Sequence, residues 1–300
     1  MSATVVVAER YGGPEVLAQR EAPVPEPGPG EVLLEVRAAG INPVDWKRYS
    51  GAFGTDPAEL PMRLGFEAAG VADGREVIAF RIAGAYASHV AVPESALVPK
   101  PAALSWEQAG GLMLAGVTAI HALTATGVGE RDTLLLHAAS GGVGLMAVQI
   151  ARARGARVIG TASERHHERL RELGAEPVVY GPGLADRVRA LAPDGVAAAI
   201  DAVGTDEAID VSLELVPNRS RIATIAAFGR AAETGIKALG GGPGADPGTE
   251  VRDAARFELV ERAEQGRLTV DARAFPLADV AAAHEAGIAG RAGGKLVLVP

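Results

Sequence analysis

Cysteine is absent from this chain of 300 residues, which excludes disulfides, thiolate nucleophiles and zinc sites built from cysteine. A basic excess is also lacking, because the net charge is -8 and the isoelectric point is near 5.4. Nucleic acid is therefore not an expected partner, since binding phosphates requires a basic surface. No apolar run reaches the roughly 18 residues of a membrane helix, and no secretory signal pattern opens the chain. We expect a cytoplasmic protein with small-molecule partners and no membrane association.

The composition is that of a globular chain large enough for two domains, with 48% hydrophobic and 22% charged residues. Short strands separated by proline and glycine in the first third predict a β-rich, barrel-like unit. Within it, Ala72-Asp73-Gly74-Arg75 predicts a tight hairpin, and residues 23–30 predict an extended surface connection. Between Thr133 and Ala226, strands alternate with helices, which predicts a parallel sheet covered on both faces.

Other local signals mark the borders of this alternating region. Ser105 followed by Gln108 predicts a capped helix that runs through Leu114. After Ala227, the sequence predicts a glycine-rich loop at 240–244, a helix at 250–265 and a closing strand at 295–299.

The most informative motif is a glycine-rich turn between a buried strand and a helix. Leu134-Leu135-Leu136-His137 is followed by Ala138-Ala139-Ser140-Gly141-Gly142-Val143-Gly144, and a helix begins near Leu145. Such a turn lets backbone N–H groups approach a pyrophosphate, to which the helix N-terminus adds partial positive charge. Ala139 stands where the first glycine of G-x-G-x-x-G is expected. The motif predicts a dinucleotide site, and a tight turn without a ligand is the alternative.

The residues after the second strand indicate which dinucleotide is bound. Ser163 can donate to phosphate oxygens and Arg165 can pair with them, which favours the 2′-phosphate of NADPH. Two alternatives stay open: Glu164 could accept from a free ribose hydroxyl and select NADH, or Arg165 could be a solvated residue. Tyr180 either packs beside the adenosine or covers the sheet edge.

Two further strand ends lie where a doubly wound sheet binds ligands, at its carboxyl edge. Val203 and Gly204 follow one strand, and residues 226–228 follow the next. We therefore include Val203, Ala226 and Phe228 among the candidate cofactor-binding residues.

Three segments together resemble the zinc-free quinone oxidoreductases, the ζ-crystallin-like branch of the medium-chain dehydrogenase/reductase superfamily. They are Val36-Arg37-Ala38-Ala39-Gly40-Ile41-Asn42-Pro43-Val44-Asp45, the glycine turn, and Gly294-Lys295-Leu296-Val297-Leu298. The resemblance covers nearly the whole chain. It implies an α/β protein with a GroES-like β-rich catalytic domain at 1–114 and 256–300, and a doubly wound Rossmann-type domain at 115–255.

The resemblance also implies NADPH in the cleft between the domains, and commonly a homodimer. It places Asn42 beside the nicotinamide end, Thr118 near the ring or its ribose, and Lys295 among the residues that bind the cofactor. The complete predicted cofactor-binding set is Asn42, Thr118, Ser140, Gly141, Gly142, Val143, Gly144, Ser163, Arg165, Tyr180, Val203, Ala226, Phe228 and Lys295.

A catalytic zinc is not expected. Zinc-dependent alcohol dehydrogenases of this superfamily have a ligand cysteine in the segment equivalent to 39–42, followed later by a Gly-His-Glu motif. Here that motif reads Gly65-Phe66-Glu67, so phenylalanine replaces the histidine. His166 and His167 are adjacent and do not face one ligand. The family also has a longer excursion near 72–75, so either the hairpin is shortened or residues are missing from the chain.

Without a metal, the protein must hold the nicotinamide against an electrophile and exclude water. Asn42 is predicted to donate its amide to the substrate oxygen, and Lys47 to stabilise the developing negative charge. The alternatives are that Asn42 merely ends a strand and that Lys47 is a solvated cation. Quinone reduction is the first prediction for function. Reduction of an enone or alkenal double bond and a non-catalytic NADPH-binding role are the others.

Overall fold

The computed structural model describes residues 2–242, 244–290 and 293–300 and divides the chain into two units. The first comprises Met1–Leu114 and Arg256–Pro300, and the second Ala115–Ala255. Pro243, inside the predicted glycine-rich loop, lies outside the described residues. Among the described residues, none of the helices combines the length and apolar character that a membrane span requires.

The N-terminal part of the first unit is mostly β-structure, as its sequence predicts. Its elements are β1 Ser2–Ala8, β2 Leu17–Pro23, β3 Glu31–Ile41, α1 Pro43–Tyr49, β4 Met62–Arg63, β5 Glu67–Ala72, β6 Arg75–Phe80, β7 His89–Pro93, β8 Leu97–Pro99 and α2 Trp106–Gly110.

The predicted hairpin is confirmed and directly joins β5 to β6. Ala72 pairs with Arg75, and the two turn residues, Asp73 and Gly74, have φ angles of 48° and 73°. Positive φ at both central positions matches the twist of the flanking strands, and Asp-Gly tolerates it. The connection between these strands is therefore short in this chain.

Helix α1 is a local structure that the sequence reading missed. Asn42 is its N-cap, Pro43 occupies the first turn, and Asp45 completes a capping box. Proline is favoured there because the first turn has no use for its missing N–H. Asn42 directly follows the last residue of β3 and starts α1, so it lies at a strand end whether or not it also has the predicted catalytic role. The capping box of Ser105 and Gln108 is confirmed at α2.

The second unit alternates strands and helices as predicted. Its elements are α3 Met113–Ala125, β9 Thr133–His137, α4 Gly142–Ala153, β10 Arg157–Thr161, α5 His167–Glu172, β11 Glu176–Val178, α6 Leu184–Leu191, β12 Ala198–Asp201, α7 Asp206–Leu215, β13 Ile222–Thr224, α8 Phe228–Thr234 and β14 Lys237–Ala238. The single helix predicted through Leu114 is instead two, because α2 ends at Gly110 before α3 begins.

These strands form a parallel sheet in the order β11-β10-β9-β12-β13-β14. The chain starts at the centre with β9, runs outward to β11, then returns to β12 on the other side. Ligands of such sheets bind at the carboxyl ends of the strands where the direction reverses. In this protein that point lies between β9 and β12.

The C-terminal part of the chain returns to the first unit. It contains α9 Thr249–Glu264, which spans the unit border, β15 Ala272–Pro276, α10 Val280–Ile288 and β16 Lys295–Val299. Strand β16 lies antiparallel to β3, with Leu296 opposite Ile41. This register sets Lys295 beside Asn42, although the two are 253 positions apart in the sequence.

Candidate functional site

The glycine-rich turn lies at the carboxyl end of β9, at the point where the strand order reverses. Ala138 adopts a φ of 56°, and the next residue, Ala139, donates its N–H to the Thr161 carbonyl at 2.9 Å. Gly141 is the N-cap of α4, and it offers no side-chain acceptor to the first turn of that helix. The N–H groups of Gly142, Val143 and Gly144 have no acceptor within the helix. They are thus available to an anion at the helix N-terminus.

Each missing side chain in this turn has a structural reason. A Cβ at Gly144 would lie 2.3 Å from the Ala138 carbonyl oxygen, so only glycine allows helix and strand to pack this closely. A Cβ at Gly141 would meet only that same oxygen, at 3.4 Å, and would otherwise point into open space. Gly144 therefore serves packing, whereas Gly141 leaves room for a ligand, which matches the roles of these glycines in dinucleotide sites.

The alanine at the first position of the motif is accommodated by another glycine. A Cβ on Gly160, in the adjacent strand β10, would lie 2.6 Å from the Cβ of Ala139. Because Gly160 has no side chain, there is room for the Ala139 methyl group at the position where the family motif has glycine. The departure of Ala139 from the motif therefore leaves the turn intact.

Two buried polar residues organise the neighbouring strand ends. Asp201, the last residue of β12, accepts from the N–H groups of Val203 and Gly204, at 2.9 Å each. Its other oxygen accepts from the Thr224 hydroxyl at 2.6 Å, and that hydroxyl in turn accepts from the N–H of Ala226 at 3.1 Å. Val203 is left with 48% of its surface exposed. The sequence reading placed Val203 and Ala226 at this edge but missed Asp201 and Thr224, which hold them there.

The end of β10 carries the residues predicted for the 2′-phosphate. Ser163 is half-buried and precedes a short helical turn, and Arg165 is exposed. The guanidinium Nε of Arg165 donates to Nε2 of His166 at 3.1 Å. Burial, Arg165 and His167 all lower the pKa of His166, which favours the neutral acceptor form. This end of the sheet thus presents positive charge and hydroxyl donors.

The loop after β11 holds Tyr180 with an exposed ring. Arg187 donates to three carbonyls of this loop: Val179 at 2.9 Å, Gly181 at 2.8 Å and Pro182 at 2.8 Å. Tyr180 itself is 56% exposed. A loop held by Arg187 with an exposed aromatic ring suits the packing beside an adenosine that the sequence predicts, and covering the sheet edge stays the alternative.

In the first unit, a buried polar cluster surrounds Asn42. The Lys295 ammonium donates to the Asn42 Oδ1 at 2.6 Å, to the Ile41 carbonyl at 3.0 Å and to the Glu67 Oε1 at 3.1 Å. The Asn42 Nδ2 donates to Glu67 at 2.9 Å and to the Gly40 carbonyl at 3.3 Å. Glu67 also accepts from the Leu114 N–H at 2.8 Å. Lys295, Glu67 and Asn42 are all buried.

Asp45 anchors the same segment from the other side. It accepts from the Asn42 N–H and the Tyr86 hydroxyl, at 2.8 Å each, and from the Gly65 N–H at 3.0 Å. Burial raises the pKa of Asp45 to about 6, while these three donors and Lys295 oppose that rise. With three donors and no solvent exposure, Asp45 ties the Asn42 and Gly65 backbone and the Tyr86 side chain together.

The remaining predicted residues differ in exposure. Lys47 is half-buried on α1, Thr118 is buried in α3, and Phe228 is half-buried at the start of α8. The catalytic roles of Asn42 and Lys47 stay predictions. The structure adds one condition to the predicted role of Asn42. Both of its amide hydrogens already have protein acceptors, so a substrate oxygen must take the place of one of these acceptors. The longer contact, to Gly40, is the weaker of the two.

Family models match both units. The model described as an alcohol dehydrogenase GroES-like domain matches residues 28–102, and that described as a zinc-binding dehydrogenase matches residues 142–240. A quinone oxidoreductase of Pseudomonas aeruginosa is 36% identical over 326 residues, covering 97% of each chain. This chain belongs to the quinone oxidoreductases of the medium-chain dehydrogenase/reductase superfamily. The resemblance of the three sequence segments, and the fold it implied, are thereby confirmed.

Two other proteins similar to this chain bear on the chemistry. The structure of an Escherichia coli quinone oxidoreductase complexed with NADPH has a TM-score of 0.85 and 27% identity, over 99% of this chain and 100% of that one. A trans-enoyl reductase of Aspergillus terreus is 33% identical over 57% of this chain and 66% of its own length. This chain is thus similar to proteins named for two different reductions.

The residues of this chain do not fit a zinc ion, despite the description of one family model. Phe66 offers no ligand atom, cysteine is absent from the sequence, and Glu67 is paired with Lys295. Within residues 2–242, 244–290 and 293–300, no group of three or more His, Cys, Asp or Glu could hold a metal. Zinc prefers nitrogen and sulfur ligands, and neither type is supplied in this cluster.

Proposed function

We propose that this chain reduces quinones and similar activated carbonyl compounds by direct hydride transfer from NADPH, without zinc. The observation that carries the proposal is the first turn of α4, with its free N–H groups and the open space beside Gly141 where the strand order reverses. Membership of the quinone oxidoreductases supports the substrate class. A homodimer located in the cytoplasm stays the prediction for assembly and location.

The residues of the second unit would hold NADPH. Gly142 and Val143 would donate backbone N–H groups to the pyrophosphate, and Ser163 with Arg165 would bind the 2′-phosphate. The remaining contacts predicted in this unit come from Thr118, Ser140, Gly141, Gly144, Tyr180, Val203, Ala226 and Phe228. When bound, NADPH supplies the hydride.

The residues of the first unit would act on the substrate. Asn42 would donate from Nδ2 to the substrate oxygen, and the Lys47 ammonium would stabilise the negative charge that forms there. A quinone accepts hydride readily, so modest donors are sufficient. The proton that completes the product would then come from water.

Turnover of NADPH with two electrophiles tests this function. Wild-type protein is expected to oxidise NADPH with 1,4-benzoquinone faster than with an α,β-unsaturated ketone, and a chelator is expected to leave the rate unchanged. The reverse order would favour double-bond reduction, the alternative that the Aspergillus terreus enoyl reductase supports. Saturable NADPH binding without turnover across a broad panel of electrophiles would favour the non-catalytic alternative.

Arg165→Ala is expected to lower the preference for NADPH over NADH by about tenfold. One charge-assisted contact with the 2′-phosphate accounts for a loss of this size, because such bonds contribute about 1.5 to 3 kcal/mol. The measurement is the ratio of kcat/KM for the two cofactors. Arg171→Ala, an exposed arginine of the following helix α5, is the matched control. An unchanged ratio in the Arg165 variant would mean that Arg165 does not bind the 2′-phosphate. It would favour the alternative in which Glu164 accepts from the ribose hydroxyl.

A further inference from the structure

We propose that the buried ion pair of Lys295 and Glu67 orients the Asn42 amide. Lys295 is thus a positioning residue that acts through Asn42. The proposal rests on the proposed function, in which Asn42 donates to the substrate oxygen.

The ammonium belongs to a buried ion pair beside Asn42. Its acceptors are Ile41 and Asn42 at the end of β3 and Glu67 at the start of β5. Glu67 is the carboxylate that balances the ammonium.

The contacts of Asn42 show how the ion pair sets the direction of its amide. An ammonium has only donors and a carboxylate only acceptors, whereas a side-chain amide has one end of each kind. Lys295 therefore requires Oδ1 to face it, and Glu67 requires Nδ2 to face it. In a flipped amide, Nδ2 would face the Lys295 ammonium, which is also a donor, and Oδ1 would face the Glu67 carboxylate, which is also an acceptor. The direction of the two Nδ2 hydrogens is thus set by a pair of charges.

The same contacts argue against direct binding of the cofactor by Lys295. An ammonium has three hydrogens, and in this cluster three acceptors lie within 3.1 Å of Nζ. The side chain is 5% exposed. Its charge is matched by Glu67 and its hydrogens are used, so we replace the cofactor-binding role predicted for Lys295 by this positioning role.

Kinetics with NADPH and 1,4-benzoquinone test the proposal on four proteins: wild type, Asn42→Ala, Lys295→Met/Glu67→Gln, and the triple variant. The charge-neutral double variant is used because it leaves no unpaired buried charge. We expect its kcat to fall to that of Asn42→Ala, up to about 100-fold below wild type, because the donor loses its orientation. The NADPH dissociation constant is expected to stay unchanged, and the triple variant to fall no further.

Two results would overturn the proposal. A weaker NADPH affinity with retained kcat would mean that Lys295 contacts the cofactor, and losses that multiply in the triple variant would mean that Lys295 and Asn42 act independently. Arg20→Met, which removes an exposed arginine paired with the exposed Glu9 in the same unit, is the control and should behave as wild type.

A second readout keeps this test separate from the proposed function. The side-chain amide of Asn42 is expected to exchange its hydrogens slowly in NMR spectra of wild type and quickly in the double variant. If wild type turns over no electrophile, the proposed function fails. The exchange rates would still show whether Lys295 orients the Asn42 amide. Equal exchange in both proteins would overturn the orienting role of Lys295.

Discussion

Lys295→Met is expected to lower the free energy of unfolding by about 3 to 5 kcal/mol, because it leaves a buried carboxylate without its counter-charge. Glu67 is fully buried, and Lys295 supplies the one positive charge in its hydrogen-bonded cluster. Urea unfolding at neutral pH measures the loss.

The companion variant separates charge pairing from packing. Lys295→Met/Glu67→Gln is expected to recover most of the stability, because neutral groups of similar shape leave no uncompensated charge. Arg20→Met, which breaks a pair with Glu9 in which both side chains are exposed, should cost less than about 1 kcal/mol. Equal losses for Arg20→Met and Lys295→Met would contradict the importance of burial.

Gly141→Ala is expected to weaken NADPH binding by about 10- to 100-fold, or about 1.4 to 2.8 kcal/mol, with the protein still folded. The new methyl group would contact only the Ala138 carbonyl, at an ordinary 3.4 Å, and would otherwise occupy the space that a pyrophosphate needs. Fluorescence titration with NADPH and a thermal unfolding curve on the same sample separate affinity from stability.

Unlike Gly141→Ala, Gly144→Ala is expected to disturb the backbone of the turn itself. Its methyl group would lie 2.3 Å from the Ala138 carbonyl oxygen and 2.6 Å from that of Ala139, so the backbone itself must move. We expect a loss of stability of about 1 to 3 kcal/mol together with the loss of binding. Gly129→Ala, in a position with nothing within 4 Å of the added Cβ, is the control and should change neither property. Unchanged affinity in Gly141→Ala would contradict the pyrophosphate assignment.

The parts of the fold that were predicted correctly depend on neighbours in the sequence. The strand–helix alternation between Thr133 and Ala226 and the closing strand at 295–299 were predicted, because apolar runs and turn residues mark them locally. Strand β2 was missed because its sequence, Leu-Ala-Gln-Arg-Glu-Ala-Pro, is largely polar. It is a strand because β1 pairs with it along its whole length. Tertiary pairing overrode weak local preference there.

The glycine-rich turn and the positive end of β10 were determined by the sequence itself, since a dinucleotide site of this kind is built from residues within one βαβ unit. The tertiary structure decided what surrounds Asn42. Antiparallel pairing of β16 with β3 sets Lys295 against a residue 253 positions away, and β5 adds Glu67 to both. Strand register is a property of two distant segments packing on one core, so no local pattern contains it. The sequence therefore predicted the cofactor, and the tertiary structure decided that Lys295 and Glu67 lie against Asn42.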